Sequence, residues 1–514
     1  MEQTEKPGNG RCRRLIEVTA GNLRNSHIYI TGMHDFFPSD AIGGSNKKDP
    51  GKPVAIELDG IGSTVRTDIP RDRKTGRPRR EFRARGWARA FFAHHGVMAG
   101  DVLSLERTGK RNYRLAINKR NGHQRKFLEF FAGMGLVRLG LEHAGWTIAY
   151  ANDIDPGKRE MYDAHFGDAD EHFKLQNIHG VSGRNLPDAM LATASFPCTD
   201  LSLAGGRKGL RGAQSSSFFG FIEVLEDMGN RRPPLVLLEN VVGFLTSHDG
   251  ADFECAMMAL NKLGYYVDPF VLDAKWFVPQ SRPRLFVVAS QIPNEEESRP
   301  LGSWWSNRLR PDFLSKYIDS HRGIRWCLRS LPDPPAASEK SLTDILEDLP
   351  PDAPEWWSQE RAKYLYDQMS RRHRTIADRW IGADSWSYGT VFRRVRRQPD
   401  GHKRSMGELR CDGIAGCLRT PKGGSGRQIL FKAGYGKYAV RLLTPRECAR
   451  LMGADDFKIY APLNQALFGF GDAVCVPAIT WIAENYLNPL ARGLHAELSG
   501  FARLGGHTRM PKRR

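Results

Sequence analysis

Between Lys126 and Ser290 the chain switches repeatedly between two spacings of apolar residues. "KFLEFFAG" is a short continuous apolar run that reads as a buried strand, and "GLVRLGLEHAG" spaces its apolar positions three and four apart before a glycine stop, as a helix does. "TIAYANDID", "DAMLATASFP", "PPLVLLENV" and "RLFVVAS" read as further strands. Strands alternating with helices predict an α/β domain over residues 126–290. Its sheet is expected to be parallel and covered on both faces, with ligands at the carboxyl ends of the strands.

The flanks carry other patterns. Residues 1–24 read as a flexible N-terminus. Residues 25–120 hold short alternating pieces, "HIYITG", "PVAIELDG" and "YRLAIN", split by Gly, Pro and charge, which predict a small β domain. Residues 291–436 break the alternation with aromatic pairs, basic clusters and Pro-rich spacers, although "SLTDILEDLP" spaces a short helix that Ser341 can cap. Helical spacing returns over 437–490 in "TPRECARLMG" and "GFGDAVCVPAITWIAENYLNPL", and residues 491–514 form a basic tail.

Length and charge narrow the picture. At 514 residues the chain exceeds what one core supports, so two or three domains are expected. A net charge of +18 favours a polyanionic partner. No run of about eighteen apolar residues is expected to span a bilayer, and "MEQTEKPGNGRCRRL" lacks the apolar segment of a signal peptide, which predicts a cytoplasmic protein. The eight cysteines contain no C-x-x-C pair, arguing against structural zinc or a disulfide framework. The insert "RDRKTGRPRREFRARGW", with Arg77, Arg79 and Arg80, is either a solvated loop or a phosphate-contacting arm.

Candidate chemistry clusters at strand ends. "FFAGMG" supplies a Gly turn between strand and helix, but Arg138 stands where a dinucleotide fingerprint wants its third glycine, so pyrophosphate is poorly served. About twenty residues on, "ANDID" ends the second strand with Asp153 and Asp155, either of which can accept from ribose hydroxyls. An adenosyl ligand without phosphates, such as S-adenosylmethionine, suits both features; other nucleosides remain open. "FPC", "LEN" and "QSRPRLF" then place Cys198, Glu239, Arg282 and Arg284 at the ends of later strands. A cysteine is most often small buried filler. A glutamate after "PLVLL", however, is costly to bury without a partner. The i, i+2 spacing of the arginines puts both on one face of an extended segment, as a shared anionic or carbonyl ligand would require.

In order, "FFAGMG", "FPCTDLS", "LENV", "QSRPRLF", "RLLTPRECARLMG" and "GDAVCVPAI" resemble the motif set of the DNA (cytosine-5)-methyltransferases. The resemblance implies a Rossmann-like methyltransferase core, with a smaller target-recognition domain in residues 291–436. Cys198 would add to cytosine C6, because C5 is otherwise a poor nucleophile. Glu239 would relieve charge at N3, and Arg284, supported by Arg282, would polarise O2. For S-adenosylmethionine, Phe131 would pack on the adenine and Gly133, Met134, Gly135 and Leu136 would hold the methionine end. Asp153 would bind the ribose beside Ile154, and Ile178, Pro197, Asp472 and Val474 would help line the pocket. Two departures stand out: Asn177 where the family usually has Asp, and Gly471-Asp472 where it usually has Gly-Asn.

Because the target base lies inside a duplex, it would have to be flipped out. Ser202, Arg207, Lys208 and Arg211 would belong to a loop that closes on the DNA. Residues 25–120 resemble the B3-like DNA-binding fold through "HDFFPSDAIGGS", "RARGWARAFFAHHGVMAGDVLSLER" and "NYRLAIN". An unrelated β spacer is the alternative. The expected whole is a monomeric, metal-free modification enzyme acting on double-stranded DNA in the bacterial cytoplasm, away from membranes, beside a cognate restriction endonuclease. A tRNA cytosine methyltransferase and a catalytically silent DNA-binding regulator are the competing readings.

Overall fold

The computed structural model describes residues 13–18, 22, 25–46, 48–84, 86–95, 97, 101–119, 125–197, 217–291, 307–397, 401–420 and 427–492. The chain divides into two compact units, the first containing the N-terminal 124 residues and the second running Arg125–Asn488.

In the first unit, β1 (Arg13–Glu17), β2 (Val54–Leu58), β3 (Ser63–Thr67), β4 (Val102–Arg107) and β5 (Asn112–Lys119) form one sheet in the order β1-β4-β5-β2-β3. Its pairings are antiparallel apart from β2 with β5. Alternation buries Val54, Ile56 and Leu58 on one face, against Leu103, Leu115 and Phe91 of the helix Trp87–His95. Among the described residues this sheet has β1 and β3 at its edges and does not close into a barrel. The flexible N-terminus predicted to reach residue 24 instead contains β1, held by five paired positions along β4. Its short "RRLIE" was overlooked because flanking charge hides the apolar pair.

The second unit is built on β6 (Lys126–Phe130), β7 (Thr147–Asp153), β8 (Phe173–Leu175), β9 (Leu191–Ala194), β10 (Leu235–Val241), β11 (Tyr266–Asp273) and β12 (Pro283–Ser290). The order is β11-β12-β10-β9-β6-β7-β8. From β10 to β8 the strands are parallel, but β12 runs antiparallel to both β10 and β11, so the sheet is mixed rather than all-parallel. Chain order moves outward from β6 in one direction through β7 and β8, then jumps to β9 and β10 on the other side. The crevice at the carboxyl ends of β6 and β9 is therefore the topological switch point, where open α/β sheets take their ligands. Leu128, Phe130, Leu238 and Val287 bury one sheet face against Phe218, Phe221 and Leu225 of the helix Ser217–Asp227.

A second sheet, in the order β14-β13-β15-β16, is formed by β13 (Ser387–Arg397), β14 (Lys403–Arg410), β15 (Ile429–Gly434) and β16 (Lys437–Leu442). Val391, Phe431 and Val440 pack there with Leu365 and Ala377 from two helices. Ser341 does cap the short helix Leu342–Ile345, with its N–H donating to Asp344 at 2.7 Å. The stretch Leu463–Arg492 matches a bilayer span in length and composition alone; 67% of its apolar eighteen-residue window is buried, as in a core helix. Residues 473–475 also interrupt its helices.

Candidate active site

The turn leaving β6 begins in strain. Phe131 has φ +56°, a left-handed conformation that costs a non-glycine residue on the order of 1–3 kcal/mol. Gly135 follows at φ +86° and starts the helix Leu136–His143; a Cβ there would lie 2.5 Å from the Phe166 ring. The turn is tied to β7 by the Gly133 N–H, which donates to Asp153 Oδ2 at 2.8 Å, while Oδ1 accepts from Asp155 N at 2.9 Å. Asp153 is buried at the strand end. Asp155 caps the helix Pro156–Phe166 by accepting from Gly157 N and Lys158 N.

The remaining predicted cofactor residues differ in exposure and partners. Ile154 is 64% exposed, an apolar face beside a polar strand end, whereas Ile178, Met134, Leu136 and Val474 are buried. Asn177 Oδ1 accepts from His179 N at 3.0 Å, so it caps the turn Ile178–Gly180 and retains one lone pair. Asp472 ends the helix Leu463–Asp472, and its Oδ2 lies 2.9 Å from Lys158 Nζ. Burial opposes the charge on Lys158, but Asp472, Asp153 and Asp155 outweigh it and raise the ammonium above its ordinary value. The Lys158 stem passes 3.9 Å from where a Cβ on Gly133 would sit. A charged group at 472 is thus answered by a lysine, and sequence reasoning missed Lys158 because a lysine in a first helical turn resembles solvated surface. Among the described residues, the turn sets the Asp153 carboxylate beside the exposed aliphatic side chain of Ile154, a polar and apolar pair that fits an adenosyl group.

The second cluster lies at the ends of β9, β10 and β12. Glu239, 8% exposed, accepts from Arg284 Nε at 3.0 Å. The antiparallel pairing supplies this contact, setting Arg284 opposite Val241, two positions along from Glu239. Burial drives the Glu239 carboxyl above its ordinary range; Arg284, Arg282 and the Ser195 hydroxyl offset only part of that rise. The next residue, Asn240, donates from Nδ2 to the Phe196 carbonyl at 3.1 Å and so pins the backbone just before Pro197, which is exposed. Sequence reasoning also missed Asn240, although its place after a buried glutamate was the available signal.

Arg282 departs from expectation. Its Nη1 donates to Leu418 O at 2.6 Å, and its Nη2 donates to Gly471 O at 2.9 Å and Ala473 O at 2.7 Å. Burial lowers this guanidinium to about 10. Arg284 faces Glu239, and Arg282 is a clasp between segments distant in sequence, while both arginines act on the Cys417 thiol. Buried Gln280 does similar work, accepting from Leu418 N at 2.9 Å and donating to Leu451 O at 2.7 Å.

Cys198, Ser202, Arg207, Lys208 and Arg211 lie outside the described residues. Among the cysteines that are described, burial raises Cys255, Cys448 and Cys475, the last to about 12. Cys417 differs: burial opposes its ionisation, but Arg282, Arg284 and Arg419 outweigh that and lower the thiol. Its Sγ lies 3.4 Å from Arg282 Nη1. In the N-terminal unit, Asp72 turns a hairpin whose tip exposes Arg77; Arg79 lies near Asp72 and Glu81, and Arg80 stacks 4.5 Å over Tyr29. Among the described residues, no three His, Cys, Asp or Glu side chains gather to hold a metal ion.

A Gly turn at the switch point and a buried carboxylate–guanidinium pair at neighbouring strand ends place the chain among α/β proteins whose ligands sit at the carboxyl ends of the sheet. Residues 125–488 match the family described as C-5 cytosine-specific DNA methylase, and the chain belongs to that family. It is a DNA cytosine methyltransferase that uses S-adenosylmethionine. The type II methyltransferase M.HhaI of Haemophilus parahaemolyticus is 26% identical over 374 residues, covering 70% of this chain and 93% of its own length. A DNA-cytosine methyltransferase of Escherichia coli is 28% identical over 415 residues, covering 70% of this chain and 76% of its own length. The solved S. pombe Dnmt2 methyltransferase covers 71% of this chain and 98% of its own, at 18% identity and a TM-score of 0.46.

Proposed function

We propose that the enzyme methylates C5 of a cytosine flipped out of a specific duplex sequence, through a covalent adduct between Cys198 and C6, as the modification enzyme of a bacterial restriction system. The observation carrying this reading is the buried Glu239–Arg284 pair next to the Phe196–Pro197 backbone that Asn240 holds. The type II names of its relatives support the restriction setting.

When bound, S-adenosylmethionine supplies an electrophilic methyl on sulfonium sulfur. The Cys198 thiolate adds to C6, and the displaced ring electrons move toward N3 and O2. Glu239, whose burial keeps it protonated above the usual carboxylate range, delivers its proton to N3. Arg284 stays beside it to donate to O2 and to stabilise the resulting carboxylate. With C5 now nucleophilic, methylation becomes feasible. The C5 proton then leaves to a base, the C6–S bond breaks to release the thiolate, the C5–C6 double bond returns, and N3 gives its proton back to the Glu239 carboxylate. Asp153 and the strained turn at Phe131 orient the donor, and Lys158–Asp472 flanks it.

Residues 25–120 are read as an accessory DNA-binding domain of B3-like type, and residues 291–436 as the target-recognition region. The deciding experiment incubates enzyme and S-adenosylmethionine with duplex DNA carrying 5-fluorocytosine, which blocks loss of the C5 substituent. A covalent complex is expected from wild type and from Cys417→Ala, and none from Cys198→Ala. Trapping that survives Cys198→Ala and is lost in Cys417→Ala would move the nucleophile to Cys417.

A further inference from the structure

β15 accompanies β13 only from Ser387 to Val391, whereas β14 accompanies it as far as Arg397. Residues Phe392–Arg397 and Lys403–Glu408 therefore stand as a two-stranded ribbon beyond the body of their sheet. The ribbon carries Arg393, Arg394, Arg396, Arg397, Lys403 and Arg404. Register sets Arg396 opposite Arg404 and Arg397 opposite Lys403, and like charges directly opposed destabilise a strand pair. Arg396 Nε donates to Glu408 at 2.7 Å.

The same face of β13 bears Arg393, Val395 and Arg397, and Val395 is 58% exposed between the two arginines. At the foot of the ribbon, the guanidinium of Arg361 lies 3.8 Å over the Trp357 ring and that of Arg393 lies 5.7 Å from it. No carboxylate among the described residues forms an ion pair with Arg361, Arg393 or Arg427. Burial, then repulsion from Arg393 and Arg427, holds the Arg361 guanidinium below its ordinary value. The Nε of Arg427 is buried without a hydrogen-bond partner, although its Nη2 donates to Asn464. Trp357 and Arg361 also wall a groove of about 860 Å³.

A charged edge can serve merely to keep strands from pairing with other molecules. That purpose needs neither an exposed valine between arginines nor two cations gathered on one indole. Both features suit a polyanion with readable base edges. A two-stranded ribbon fits the B-DNA major groove, arginine pairs with guanine O6 and N7, and an aliphatic side chain meets the thymine methyl.

We propose that the β13–β14 ribbon is the sequence-reading element, entering the major groove with Arg397 and Val395 on base edges, while Arg361, Arg393 and Arg427 around Trp357 hold a backbone phosphate. The inference rests on the reading of duplex DNA as substrate. It names which residues specify and which merely anchor.

The test selects duplexes from a random-sequence pool by binding to full-length enzyme in S-adenosylmethionine, then measures affinity for the selected motif against salt. Wild type is expected to select one motif. Arg397→Ala and Val395→Ala should each relax one base pair of it, with discrimination there falling about 10- to 100-fold. Arg361→Ala should keep the motif, weaken binding evenly across sequences and reduce the salt slope by about one. Unchanged cofactor affinity in each variant verifies folding. A motif unaltered in both ribbon variants, or an Arg361→Ala defect confined to one base pair, overturns the proposal. Selection reads binding without turnover. A wild type that selects a motif yet transfers no methyl therefore defeats the proposed reaction while the ribbon assignment is still tested.

Discussion

Lys158 and Asp472, 314 positions apart, meet at 2.9 Å beside the cofactor turn. The pair is ionic, and it joins the helix Pro156–Phe166 to the end of the helix Leu463–Asp472.

A double-mutant cycle on this pair should therefore show coupling. Lys158→Met and Asp472→Asn are each expected to weaken S-adenosylmethionine binding several-fold, and the double variant should bind little worse than either. The coupling is about 0.5–1 kcal/mol, small because both groups remain partly exposed. Calorimetric titration of cofactor provides the numbers; strict additivity would separate the pair from the cofactor site.

Glu239 should govern the alkaline side of the rate profile. Its folded carboxyl is raised by burial, and the protonated form is the one that serves N3. Turnover should hold at low pH within the folded range and fall as pH rises through that elevated value. Glu239→Gln should lose about 100-fold or more in kcat with cofactor affinity intact, and its profile should lack this limb. An identical limb in the variant would assign the titration to another group.

Glu129 offers a stability test separate from catalysis. It is buried beneath the cofactor turn, accepts from Arg138 N at 3.2 Å, leaves Oε2 unpartnered, and is raised by desolvation to about 8. With the folded value above the unfolded one near 4.5, its favourable contribution is complete below pH 4.5 and is lost as pH rises toward 8. Glu129→Gln should remove on the order of 2–4 kcal/mol of that pH dependence. Chemical denaturation of both proteins at pH 5 and pH 8 measures it, and parallel curves would contradict the assignment.

For the N-terminal unit, neutralising the hairpin should reveal whether it tracks phosphates. Arg77 at the tip is exposed and Arg80 lies on Tyr29. Arg77→Ala with Arg80→Ala is expected to reduce the salt slope of DNA binding by one to two, without changing cofactor affinity. An unaltered slope would make the unit a spacer.

Residues near one another in sequence were the legible part. The Gly turn after β6, the acid ending β7 and the positions of Glu239 and Arg284 on β10 and β12 could be read because each sits in a local strand pattern. The direction of β12 could not, since "RLFVVAS" is apolar read either way and parallel and antiparallel partners want the same residues. Nor could the role of Arg282, whose acceptors lie 136 and 189 positions away. β13 and β14 escaped notice because runs of arginine mask alternation; their pairing depends on Val391, Leu409 and Phe431 packing beneath.

The Arg282 clasp and the Lys158 bridge both depend on residues 471–473. A ribosome reaches those positions only after making nearly all of the catalytic unit, on the order of tens of seconds after Asp153 at about 5–20 residues per second. An emerging chain thus has its glutamate and its Gly turn but no closed donor pocket. Methylating competence arrives nearly all at once, with the last helices, so a chain broken off anywhere before them could hold DNA without marking it.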